Sequence, residues 1–247
     1  MKQTMKTNFP IRLAMGLGLL AAGLRFGLYA MGLDEKNLLA AGHPLEILVW
    51  VVAAAALGLT IFFVLPLKGT GSWEENASSG PAAALGSLAL AAGIAVSTLS
   101  HWNDGGAASD LIRNVLGSFS AAGMGWVAVC RVRRKRPFFV CHALVCLFLC
   151  ACLLGQYRVW SSNPQLQDYV FFLLACVCMA LFAYQQAAFE VGIGSRRKLL
   201  LSGLFGGFCG LAALRGAYDL PLCLCGAVWM LTNLCPMVPP ARFMSKE

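Results

Sequence analysis

The feature that most limits the possible folds is a series of eight long apolar segments separated by short polar stretches. These segments cover about residues 9–31, 44–65, 81–100, 109–130, 138–157, 168–191, 199–215 and 219–238. A helix of about 20 apolar residues crosses the hydrocarbon core of a bilayer. The sequence therefore predicts an all-α, polytopic integral membrane helix bundle, with about eight transmembrane helices in a single transmembrane domain.

The composition excludes most soluble alternatives. Only 12% of the 247 residues are charged and 59% are hydrophobic, whereas a soluble domain usually carries about 25% charged residues. The longest polar stretch, from Lys68 to Pro81, is too short to fold by itself. The net charge of +8 would suit nucleic acid, but the basic residues lie in short runs between apolar segments, as in membrane proteins. No nucleic-acid partner is therefore expected.

Two basic runs indicate the orientation of the chain. One run contains Arg131, Arg133, Arg134, Lys135 and Arg136, and the other contains Arg196, Arg197 and Lys198. An even number of segments separates the runs, so both lie on the same side of the membrane. Cytoplasmic loops are enriched in Lys and Arg, which predicts a multi-pass cell-membrane protein with both termini in the cytoplasm. The same cations are predicted to contact anionic lipid headgroups.

The first segment has an alternative interpretation as a cleaved signal peptide. Lys2, Lys6 and Arg12 precede an apolar core in the order that such peptides show. Cleavage would leave the topology of the remaining segments unchanged, and both interpretations stay open.

Charged or titratable residues at the outer ends of the segments form a first candidate site. They are Arg25, His43, Glu46, His101, Asp110, Arg113, Asp168, Arg215 and Asp219. Ionisable residues at membrane depth are functional candidates, and convergence of these would line an outward-facing vestibule for a polar ligand. The competing interpretation is structural, because acids at helix starts and bases at helix ends complement the helix dipole. In that interpretation Ser109 is an N-cap.

A second candidate site lies deeper, near the cytoplasmic end of the sixth segment. It contains Gln185, Gln186 and Glu190, of which Gln186 and Glu190 are four residues apart and share a helix face. Polar groups inside hydrocarbon need hydrogen-bond partners. Two interpretations remain open: hydrogen bonds between helices that fix the bundle, or a polar half-channel or coupling site.

The sequence contains no motif for a cofactor, a metal or a catalytic centre. The 11 cysteines form no C-x-x-C pair and are interpreted as small apolar fillers. The histidines form no H-E-x-x-H pair. The remaining features favour a small-solute permease, or a membrane subunit of a larger assembly with membrane-protein partners. The alternatives are an intramembrane enzyme acting on lipid or peptide, and a structural membrane scaffold.

Reporter fusions test the predicted topology. A reporter fused after Glu247 or inserted within residues 196–198 is expected to show cytoplasmic activity, whereas one at Asn163 should show external activity. The reason is the asymmetry of the basic runs. An external reporter at Glu247 would contradict the eight-span topology.

Overall fold

The structure, a computed structural model, describes residues 9–32, 43–66, 73, 80–102, 108–160, 169–215 and 219–235. Within these ranges the chain forms eight helices, which are numbered in chain order. They are α1 (Phe9–Met31), α2 (Pro44–Val64), α3 (Pro81–Ser100), α4 (Ala108–Val132), α5 (Val140–Trp160), α6 (Val170–Val191), α7 (Arg196–Ala212) and α8 (Leu220–Leu234). Each predicted segment corresponds to one helix, which confirms the all-α membrane bundle.

Helices α1 to α6 are long and apolar enough to cross a membrane, whereas α7 and α8 are shorter. Helix α7 has 17 residues and α8 has 15, equivalent to about 25 and 22 Å of helix rise. Most residues of both helices are buried in the protein. Lipid imposes its thickness only on segments that it surrounds, so two helices enclosed by others tolerate a shorter length.

The predicted bounds differ most at α7. The helix begins at Arg196 instead of residue 199 and ends at Ala212 instead of 215. The hydropathy of the segment locates its apolar part, but helical hydrogen bonding continues into the preceding basic residues. The run from Arg196 to Lys198 therefore forms the first turn of α7 and not a loop.

Five helices form a closed ring in the order α3, α4, α5, α6, α8 and back to α3. We call them the ring helices. Helix α7 packs outside the ring against α6 and α8, and its other side contacts α1 and α2. Inside the ring, Trp229 of α8 meets Phe182 of α6 edge to face, with ring centroids 4.8 Å apart. The fold thus separates a five-helix ring from a peripheral pair, α1 and α2.

The two ends of the bundle differ in charge. The basic end carries the end of α4 and the start of α7, with the runs 131–136 and 196–198. The acidic end carries the starts of α2, α4 and α8, with Glu46, Asp110 and Asp219. These names describe the molecule alone, and the assignment of the basic end to the cytoplasm stays a prediction.

Glycines allow the helices around α8 to approach closely. A Cβ atom on Gly93 of α3 would lie 2.6 Å from Cys225 Cβ and 3.0 Å from the backbone oxygen of Pro221. A Cβ atom on Gly210 of α7 would lie 3.0 Å from Ala227 Cβ. Close packing of this kind joins helices in membranes, where no hydrophobic effect drives their association. Helix α8 is therefore held on two sides by glycine contacts.

Substitution at Gly93 tests the close contact between α3 and α8. We expect Gly93→Ala to lower the free energy of unfolding in detergent micelles by about 1–3 kcal/mol, because the new methyl group overlaps stiff atoms. The matched control is Gly58→Ala, where a Cβ atom meets nothing within 4 Å. The control should be neutral or stabilise the helix by about 0.5–1 kcal/mol. Equal effects of the two changes would contradict the packing described.

Candidate functional site

Four buried polar side chains meet at the basic end and form what we call the basic-end site. Arg131 comes from α4, His142 from α5, and Gln186 and Glu190 from α6; each is at most 5% exposed. His142 Nδ1 lies 2.9 Å from Glu190 Oε1. Arg131 Nη2 donates a hydrogen bond to Gln186 Oε1 at 3.0 Å. The site thus joins three consecutive ring helices through charged and amide groups.

Aromatic rings enclose the basic-end site. The indole of Trp229 is stacked near His142, with ring centroids 6.3 Å apart and planes inclined by 20°. The guanidinium of Arg131 lies 5.9 Å from the ring centroid of Trp73, within the range of a cation–π interaction. Apolar surroundings lower the local dielectric constant and strengthen the interactions between the polar groups. The site is therefore a group of buried polar side chains bordered by two tryptophan rings.

The helix dipoles do not explain the His142–Glu190 pair. Arg131 lies one residue before the end of α4, where the dipole favours a cation. Glu190 lies one residue before the end of α6, and His142 is the third residue of α5. An acid at a helix end and a protonated base at a helix start both oppose the dipole, by about 0.3–1 kcal/mol each at exposed sites. An interaction other than that with the helix dipoles must therefore account for the positions of His142 and Glu190.

Several buried atoms of the site have no hydrogen-bond partner among the described residues. They include both ring nitrogens of His142, both carboxylate oxygens of Glu190 and Gln186 Nε2. The close approach of His142 Nδ1 to Glu190 Oε1 is thus an electrostatic contact and not a hydrogen bond. Folded proteins bond most of their buried polar atoms, because an unpaired one costs about 1–3 kcal/mol. The site therefore keeps hydrogen-bonding capacity that the other described residues do not use.

The predicted trio of the sixth segment divides between two environments. Gln186 and Glu190 belong to the basic-end site, as their shared helix face indicated. Gln185 Oε1 instead accepts a hydrogen bond from the backbone N–H of Ser195 at 3.1 Å. That contact fixes the short connection to α7, which turns at Gly192 with a φ of 92°. Gln185 thus positions the connection.

The cations predicted to contact lipid headgroups also divide. Arg133, Arg134, Lys135 and Arg136 are exposed, as are Arg197 and Lys198, and Arg196 is partly buried. Arg131 is only 1% exposed, so a headgroup contact does not fit this residue. Its side chain instead points into the protein and bonds to Gln186 of α6. The headgroup contact of the other cations stays a prediction.

A second buried polar group lies at the acidic end, and we call it the acidic-end site. Asp219 caps the start of α8, where its Oδ1 accepts from the N–H of Leu222 at 3.1 Å. Its Oδ2 accepts a hydrogen bond from the hydroxyl of Ser97 on α3. Thr98 of α3 and Asn114 of α4 are also buried, each 5% exposed. This site likewise belongs to ring helices.

The packing of α3 against α4 places Thr98 near Asn114. The Thr98 hydroxyl abuts Gly117 of α4, which lies about one turn from Asn114 along the helix. Thr98 Oγ1 and Asn114 Oδ1 have no hydrogen-bond partner among the described residues. Of the residues of this site, the sequence pattern indicated Asp219 alone. Single hydroxyl and amide groups inside apolar segments were the only signal for the others.

Two predicted vestibule residues lie outside the ring. Arg25 of α1 is 4% exposed and donates to the backbone oxygen of Ala212, the last residue of α7, at 3.0 Å. Its guanidinium also lies 5.2 Å from the ring centroid of Phe171. Arg215 is exposed and lies 5.1 Å from the ring centroid of Tyr29. Both arginines therefore connect α1 to neighbouring helices, and Arg25 does not extend towards the membrane surface.

Other predicted vestibule residues make local contacts. His43 caps α2 by accepting a hydrogen bond from the N–H of Leu45 at 3.3 Å, and Glu46 lies in the first turn. Asp110 and Arg113 approach to 4.0 Å along α4. These observations agree with the dipole-and-cap interpretation for α2 and with a pair along α4.

His101 and Asp219 are brought together through a shared neighbour. His101 Nδ1 lies 2.9 Å from the backbone oxygen of Ser97, whose hydroxyl contacts Asp219. Helix α4 begins at Ala108, so Ser109 lies inside the helix and is not its N-cap; the helix starts earlier than its apolar run. Asp168 lies outside the described residues. Convergence of all nine residues in one vestibule stays a prediction.

The cysteines and possible metal ligands add no further centre. All 11 cysteines are free thiols. The described residues contain no group of three or more His, Cys, Asp or Glu side chains placed to hold a metal ion. No protein-family model, curated protein or solved structure matches the chain significantly. The two buried polar sites are therefore the candidate functional sites among the described residues.

Removal of the buried guanidinium tests the coherence of the basic-end site. We expect Arg131→Met to lower the free energy of unfolding in micelles by about 3 kcal/mol, because it leaves the Glu190 charge buried without its cation. Arg133→Met is the control, since Arg133 is exposed and surface charges contribute about 0–1 kcal/mol. Equal stabilities of the two variants would show that Arg131 is not part of a coupled buried cluster.

Proposed function

We propose that this chain is a small-solute permease whose pathway runs through the five ring helices. The observation that carries the proposal is the presence of two buried polar sites on the same ring. The basic-end site joins α4, α5 and α6, and the acidic-end site joins α3, α4 and α8. Charged and polar groups at membrane depth are costly and mark solute or ion pathways.

The residues outside the ring support this division. Arg25 of α1 donates a hydrogen bond to a carbonyl group of α7, and Arg215 lies against an aromatic ring of α1. Both contacts suit a structural role at the periphery. Most of the buried atoms with unused hydrogen-bonding capacity, those of His142, Glu190 and Asn114 among them, lie on the ring helices, whereas Trp73 Nε1 does not. A solute pathway accounts for such groups, because passing water or solute satisfies them in turn.

The basic-end site is suited to act as a gate. Its contacts, from His142 to Glu190 and from Arg131 to Gln186, hold the ends of three helices together. Polar contacts of this kind exchange for water when the helices separate, at a smaller cost than for an apolar contact. Alternating access would then consist of opening and closing this end around the ring interior.

An intramembrane enzyme receives less support. Such an enzyme needs a nucleophile within hydrogen-bond reach of its base. Among the described residues no hydroxyl or thiol group forms a hydrogen bond with His142. A membrane subunit of a larger assembly is the second candidate function. The contact of Arg25 with Ala212 of α7 favours it, because polar groups that only hold helices together are typical of a scaffold.

Uptake into proteoliposomes tests the proposed function. The purified chain should accelerate entry of at least one solute class from a panel of neutral amino acids, monocarboxylates, hexoses and nucleosides. The uptake should saturate, and Arg131→Met should reduce it at least tenfold if the gate is required. Gly58→Ala is the control that should retain uptake.

Thiol labelling provides a measurement that does not depend on the solute. A single cysteine at Phe182→Cys, in a cysteine-free chain, lies one aromatic layer inside the gate. A permease exposes this layer to water, so a membrane-impermeant maleimide should label it from the basic end, and faster in Glu190→Gln. If the thiol stays unlabelled both with and without Glu190→Gln, and no solute of the panel is taken up, the results favour the scaffold.

A further inference from the structure

We propose that the basic-end site binds one proton, held between His142 and Glu190, and that this proton is the coupling ion of the permease. The second half rests on the proposed function, whereas proton binding itself does not require transport. The starting observation is the distance of 2.9 Å between His142 Nδ1 and Glu190 Oε1, at side chains that are 0% and 1% exposed.

The ligand set of the site favours a proton over a metal cation. Hard cations such as calcium take about six to eight oxygen ligands. The side-chain oxygens here belong to Glu190 and Gln186, and Gln186 Oε1 already accepts from Arg131. The fixed charge of Arg131 would also repel a second cation. A proton needs a single acceptor, which the imidazole of His142 provides.

The charges around the His142–Glu190 pair determine the net charge of the site before and after a proton binds. Arg131 and Glu190 balance each other when His142 is neutral, so the four side chains carry no net charge. Cys130 of α4 and Cys141 of α5 lie in the same region, since both thiols interact electrostatically with neighbours in the cluster. Helix α7, which packs on α6, starts with the basic run 196–198.

The remaining neighbour, α8, contributes the uncharged indole of Trp229. Addition of a proton to the imidazole therefore changes the site from net neutral to a net charge of +1. The carboxylate of Glu190 is the acid placed to stabilise that charge. A carboxylate beside a histidine favours the charged imidazole.

Protonation also acts on the proposed gate. A charged imidazole attracts the Glu190 carboxylate more strongly than a neutral one does, especially in a low dielectric. The proton therefore stabilises the contact between α5 and α6 and keeps the basic end closed. Its release to water weakens that contact and favours opening. One proton taken up and released per cycle would link the pH gradient to alternating access.

Tryptophan fluorescence provides a direct test of proton binding, because a charged imidazole quenches a stacked indole. The wild-type chain in micelles should lose fluorescence as the pH is lowered. His142→Gln and Trp229→Phe should each lose this component, whereas Glu190→Asp, which keeps a carboxylate, should retain it. Cys150→Ser, an exposed position on α5, is the matched control and should behave as the wild type.

Circular dichroism identifies any variant that fails to fold, and the remaining folded variants then decide the outcome. Retention of the full pH-dependent quenching in folded His142→Gln, or in Trp229→Phe, would overturn the assignment. Loss in both, with retention in Cys150→Ser and Glu190→Asp, supports it.

A second arm tests coupling, using a solute that the proteoliposome panel identifies. An imposed pH gradient should drive its accumulation in the wild type. Glu190→Gln should abolish accumulation but retain downhill exchange. If the fluorescence changes with pH but the imposed pH gradient does not drive accumulation of the solute, the coupling role alone is overturned. If the fluorescence changes with pH but no solute of the panel is taken up, the result counts against the permease and leaves proton binding intact.

Discussion

The requirement that polar groups inside a membrane be satisfied within the protein governs the whole structure. A bilayer offers no hydrogen bonds to a guanidinium, an imidazole or a carboxylate. At the basic end, Arg131 is therefore paired with Gln186, and His142 with Glu190, across α4, α5 and α6. The same requirement places Arg25 against the free carbonyl group of Ala212 at the end of α7. Each buried charge thus determines which helices must be neighbours.

Close packing and polar pairing have different parts in this bundle. The glycine contacts between α3 and α8 and between α7 and α8 hold these helices at short range. The basic-end site holds helices through contacts that water can replace. In the proposed permease, the closely packed α3–α8 pair would stay together while the polar junction of α4, α5 and α6 opens. This mechanical difference underlies the proposed gate.

The helices were predictable from the sequence, because the thickness of the bilayer imposes a length on each apolar segment. Gln186 and Glu190 were also predictable as neighbours, since four residues separate them on one helix. Their partners were not. Arg131 lay in a basic run that suggested exposure, and His142 stood alone in an apolar segment. Pairing across 55 residues, as between Arg131 and Gln186, depends on how the helices are arranged in the ring, and that information is absent from local patterns.

The acidic-end site shows the same limit in another way. Hydroxyl groups in apolar helices commonly bond the preceding turn of their own helix, as Thr60 does with Ala56. Ser97 has the same chemistry but reaches Asp219 on another helix. A single sequence does not distinguish the two cases, because the helix face that meets a neighbour is fixed only by the packing of the whole ring.

The most direct test of the central claim, that the basic end opens and closes, is a distance measurement between α4 and α6. Spin labels at Arg133 and Val191, both exposed near the ends of these helices, report their separation in a reconstituted bilayer by pulsed electron resonance. The account predicts two distances in the wild type, with the longer one dominant in Glu190→Gln. A single distance, the same in the wild type and in Glu190→Gln, would contradict it.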